Sequence, residues 1–113
     1  MSLVEKMRKA RQSSIEVGGV KLTITRPTDL DALEMQYTST RAAIEGISKF
    51  VIDWKGVNEI DLVPGGTSEP VPFDDELFSE WIKDKPETWE DLITGVRNSY
   101  QAYRKKLEDE TKN

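Results

Sequence analysis

The side chains best placed to do chemistry in this chain are carboxylates, because it contains no histidine and no cysteine. That absence removes imidazole general bases, thiolate nucleophiles, disulfides and zinc sites built from thiolate or imidazole ligands. Asp74-Asp75-Glu76 is the densest acidic run outside the C-terminal tail, and convergent carboxylates would serve a metal ion or acid–base catalysis. Adjacent residues, however, point in different directions around a helix, and the Asp-x-Asp-x-Asp-Gly spacing of a calcium loop is absent. A helix start, where the dipole favours acids, accounts for the three more simply. Gly65-Gly66-Thr67-Ser68 has the glycines of a phosphate cradle but lacks the following lysine and the strand-to-helix setting, so it reads as a turn. The expectation is a protein that is not an enzyme, has no cofactor or metal and works by binding.

Binding directs attention to the aromatics. Three tryptophans stand at Trp54, Trp81 and Trp89, and tryptophan serves both as a core anchor and as an interface hot spot. Core is the default reading for each. Tyr100 and Tyr103 lie on a helical seam, where a hydroxyl stays wet while its ring packs. Trp54, Phe73, Trp81, Tyr100 and Tyr103 are therefore the candidate partner or oligomer contacts.

Positioning them is the task of an α+β chain that is mainly helical. Residues 3–12 allow a short basic helix or arm, with Leu3, Val4 and Met7 on one side. Ile15-Glu16-Val17, Gly18-Gly19 and Val20-Lys21-Leu22-Thr23-Ile24-Thr25 predict a β-hairpin around a double-glycine turn. Val20, Leu22 and Ile24 share its apolar face. Arg26-Pro27 ends the second strand, and Thr28 caps a helix expected over residues 29–47, on which the hairpin should pack. Thr38-Ser39-Thr40 weakens the middle of that helix. Residues 50–54 should be buried, without a clear choice between helix and strand. Residues 56–72 read as loop, with a second hairpin pairing 60–63 with 71–73. Asp74 caps a helix over Asp75–Lys83, with Phe73 and Phe78 in the two positions of a hydrophobic staple. Pro86 opens the last helix, along which Ile93, Val96, Tyr100, Tyr103 and Leu107 form the seam. Residues 108–113 should fray.

At 113 residues the chain is expected to fold as one domain without covalent staples. Net charge is −5, which argues against a general nucleic-acid binder. Neither a signal-peptide pattern nor a membrane span is visible, so the expected location is cytoplasmic. Charge is uneven: residues 1–12 carry a net +3, whereas residues 56–91 hold eleven acids against Lys83 and Lys85, a net −9. A solvated surface explains this distribution, and head-to-tail self-association between the two regions is the sharper alternative.

In order and content the segments resemble the tail assembly chaperones of long, flexible-tailed bacteriophages and their prophages. The resemblance covers most of the chain from Ile15 onward. It rests on a hairpin ending in Arg26-Pro27-Thr28, on Trp54-Lys55-Gly56-Val57, on a loop ending Val71-Pro72-Phe73-Asp74, and on a final helix after Pro86 that closes with a charged tail. The loop from Asn58 to Glu69 is longer than the family pattern. What the resemblance implies is a small non-enzymatic protein of the host bacterial cytoplasm, mainly helical and prone to form homo-oligomers. It would bind the tape-measure protein, keep its apolar helices soluble and help recruit tail-tube subunits. The alternative is a structural tail or head completion subunit that stays in the virion.

Overall fold

A computed structural model describes residues 1–111. Six α-helices and three β-strands follow in the order α1 (Leu3–Ala10), β1 (Gln12–Val17), β2 (Val20–Thr25), α2 (Asp29–Ala32), α3 (Thr40–Ile47), β3 (Val51–Lys55), α4 (Glu59–Leu62), α5 (Asp75–Lys83) and α6 (Trp89–Thr111). Single 3₁₀ turns at Ser48–Phe50 and Pro86–Thr88 lead into β3 and α6. The chain is thus α+β and mainly helical, with the hairpin at the N-terminal side and a long C-terminal helix.

The hairpin forms where the sequence places it. Gly18 and Gly19 both take positive φ, 57° and 77°, the left-handed pair that a two-residue turn needs to match the twist of its strands. Pairing of Ile15 with Leu22 and of Val17 with Val20 puts the apolar side chains on one face. β3 then adds antiparallel to β2, giving the order β1-β2-β3. Its register shifts between Thr23, paired with Asp53, and Ile24, paired with Val51. The shift leaves Ile52 as an extra residue, and such a bulge lets Val51 and Trp54 point to the same buried face despite their odd spacing. Val51 and Trp54 are 2% and 5% exposed.

Three expectations about the elements need correction. The helix over residues 29–47 is two helices, α2 and α3, separated by residues 33–39. Thr28 starts the first with a reciprocal capping box to Asp31. Ser39 starts the second by accepting a hydrogen bond from the Ala42 amide at 3.1 Å, so a hydroxyl that competes with the helix interior instead nucleates a new one. Leu30 and Leu33, whose helical spacing with Tyr37, Ile44 and Ile47 predicts a face turned toward the hairpin or another helix, are exposed. The second hairpin is also absent. Residues 59–62 are helical, and the loop is closed instead by an isolated bridge between Asn58 and Pro70. Finally, α6 continues through Thr111, so residues 108–111 are helical rather than frayed, while 112 and 113 lie outside the described residues.

The core is shared by sheet and helices. Val17, Leu22, Ile24, Val51 and Trp54 from the sheet meet Ile44 and Ile47 of α3, Phe78 and Ile82 of α5, and Leu92 and Val96 of α6. The hairpin approaches the C-terminal helix closely: a Cβ on Gly95 would lie 2.9 Å from the δ-methyl of Ile15. Tyr37 packs over α3 in the same manner, its ring filling the space above Gly46 where a Cβ would stand 2.5 Å from the ring.

Candidate interaction surface

Trp54 belongs to the core. Its indole N–H donates to the Val71 carbonyl at 2.7 Å, and its ring meets Phe73 edge-on with centroids 5.4 Å apart. Phe73 is half-buried over it and lies 6.1 Å from Phe78, the staple expected around the Asp74 cap. Asp74 accepts from the Leu77 amide at 3.1 Å, while Asp75 and Glu76 are exposed in the first turn of α5. Among the described residues no group of three or more acids is placed to hold a metal ion. Trp81 continues the aromatic row at 5.9 Å from Phe78 and remains half-buried. Trp89, like Trp54, is anchored through its indole N–H, which donates to the Ile82 carbonyl at 2.7 Å.

The two tyrosines clamp the segment after the hairpin onto α6. Tyr100 donates its hydroxyl to Asp29 Oδ1 at 2.7 Å. That bond, with burial and the charge of Asp29 adding to it, raises the phenol above its ordinary value of 10.0. The Arg26 guanidinium lies 3.5 Å from the Tyr103 ring centre, a cation–π contact, and Arg104 approaches Asp29 at 3.5 Å. Both rings are therefore engaged within the chain. Of the five aromatics singled out from the sequence, Trp54, Phe73 and Trp81 come together, whereas Tyr100 and Tyr103 form a separate clasp.

Grooves among the described residues lie on the helical side, and a pair of them concern the aromatics. The larger, about 740 Å³, runs between α3 and α5. Buried Ile44 and Ile82 and half-buried Trp89 supply its apolar floor, and Thr40, Arg41, Glu45, Ser79 and Lys83 stand around it. The smaller, about 300 Å³, lies between α4 with its following turn and the C-terminal half of α5, and Trp81 contributes one wall. Sequence reasoning missed both, because each joins segments far apart in the chain. One local signal was available: Asn58 and Asp61 form a capping box, the Asn58 amide donating to Asp61 Oδ2 at 2.8 Å, and this pattern marks a helix start at a place where a strand was expected.

Exposed apolar side chains concentrate in three places: Leu3, Val4 and Met7 on α1, Leu30 and Leu33 around the end of α2, and Ile60 and Val63 beside the smaller groove. Among the described residues no helix is long and apolar enough to cross a membrane. No family model, curated protein or solved structure matches the chain.

Proposed function

We propose that this protein is a non-enzymatic tail assembly chaperone that binds the long apolar helices of a phage tape-measure protein, keeps them soluble in the host cytoplasm and helps recruit tail-tube subunits. The resemblance in the order of sequence segments supplies the class of partner. The single structural observation that supports it is the groove between α3 and α5. An apolar floor of Ile44, Ile82 and Trp89, bordered by charges of both signs at Arg41, Glu45 and Lys83, suits an amphipathic helix laid along it. The excess negative charge of the chain would keep such a complex in solution.

Co-expression with the cognate tape-measure protein tests the reading. Soluble tape-measure protein should rise when this chain is present, and the two should co-purify. Ser79→Arg, a change at an exposed helical position, should leave folding intact while obstructing the groove, and should abolish both effects. Well-expressed partners that neither co-purify nor gain solubility would overturn the proposal. Stoichiometric presence of the chain in purified virions would replace it with the structural-subunit role.

A further inference from the structure

α1 has eight residues, none of them buried. Leu3, Val4 and Met7 are 74%, 53% and 52% exposed, and Arg8 and Lys9 sit in the last turn. An isolated helix of two turns is marginal in water, so a surface that covers the apolar side would stabilise it. The smaller groove has the complementary character. Ile60 and Val63, both more than half exposed, face Trp81 across it, and Asp61, Glu80 and Asp84 carry the negative charge of its rim against Lys85 alone. Glu80 also pairs with Lys83 at 2.8 Å in an exposed ion pair. The carbonyl end of α5 lies at the same rim and adds the negative pole of its dipole.

We infer that α1 of one copy docks in the Trp81 groove of a second copy. Within one chain the helix cannot cover that groove. Gly18, at the tip of the hairpin, lies beside Trp81, since a Cβ there would stand 3.9 Å from its indole ring. α1 is tied by Arg11 to Gln12, at the opposite end of β1. The strand separates the two ends by about 17 Å, whereas eight helical residues extend only about 12 Å. A contact between unlike surfaces is heterologous, so copies add head to tail until a ring closes or a chain grows. The inference stands independently of the tape-measure reading.

Light scattering of the full chain across protein concentration and salt tests it. The mass should rise with concentration and fall with added salt, which screens the facing charges. Arg8→Glu with Lys9→Glu, and separately Glu80→Lys with Asp84→Lys, should each raise the midpoint concentration of assembly roughly tenfold or more, as expected for reversing charges that face opposite charges. Mixing the two variants should restore assembly with the variants alternating, because the unchanged helix of one meets the unchanged groove of the other and the two reversed surfaces, an acidic helix and a basic rim, are again opposite in charge. Met7→Asp gives an independent lesion on the apolar side and should weaken assembly while leaving the melting temperature unchanged. A monomeric mass at every concentration, an assembly indifferent to both charge variants, or variants that fail to complement on mixing would overturn it.

Discussion

Tyr100 shows how one side chain links a distant segment to the C-terminal helix and makes that link depend on pH. Its neutral hydroxyl donates to Asp29, whereas a phenolate at the same place would face a carboxylate. The folded-state pKa is therefore raised. For an acid shifted upward, the stabilisation is complete below the unfolded value and is lost as pH climbs through the folded value. The clasp should hold through neutral pH and release only above the ordinary tyrosine range. An NMR titration of the tyrosine ring carbons checks this: in Asp29→Asn the Tyr100 transition should move to lower pH. Tyr37 supplies an internal control, since burial is the first cause of its raised pKa, with the Arg97 charge opposing the shift and Asp31 and Glu34 adding to it. Its transition should stay in place when Asp29 is changed. Equal movement of both transitions would show that the fold, rather than the hydrogen bond, had been altered.

Among the elements, α5 shows how much a cap and a staple determine. Asp74 satisfies the Leu77 amide, and Phe73 and Phe78 fix the angle at which the chain turns into the helix. Replacing Asp74 with Ala should lower stability by about 1 kcal/mol, the usual effect of removing an N-cap side chain, and chemical denaturation would measure it; no loss would mean that the staple alone holds the turn. The same local chemistry explains what was legible in the sequence. The hairpin, the Thr28 cap, the extent of α5 and the opening of the last helix at Pro86 are each set by residues within a few positions of one another. What escaped was set at longer range. A bulge opposite Thr23 and Ile24 breaks the alternation of β3, so Phe50, Val51 and Trp54 carry the spacing of a helical face although Val51–Lys55 is a strand. The break after α2 is fixed by the Ser39 cap together with the Tyr37 ring against Gly46. Both grooves need α5 brought beside segments far from it in sequence, and no local pattern records that juxtaposition. Among the candidate contacts, the burial of Trp54 agrees with the expectation for residues 50–54, whereas the engagement of Tyr100 and Tyr103 depends on Asp29 and Arg26, more than 70 positions earlier.

At the scale of the whole molecule, shape and charge point the same way. The radius of gyration is 15.6 Å and the extents are 56 × 38 × 20 Å, whereas a compact domain of this length has a radius near 13 Å. The excess fits a core held between the sheet and the first turns of α6, with α1 exposed throughout and the distal part of α6 touching the body mainly through the Tyr100 and Tyr103 clasp. An exposed basic helix attached to an acidic body is therefore separable from the stability of that body. Deleting residues 1–10 should change the unfolding free energy by less than about 1 kcal/mol, because surface groups without buried contacts contribute little. Arg11 is retained because its carbonyl accepts from the Arg26 amide at 2.7 Å and closes the open end of the hairpin. Denaturant unfolding of the truncated chain measures the first effect and small-angle scattering the second, a reduced radius of gyration. A loss of several kcal/mol would mean that α1 packs on the body in solution, and the helix would then be part of the fold instead of an arm free to seek a second copy.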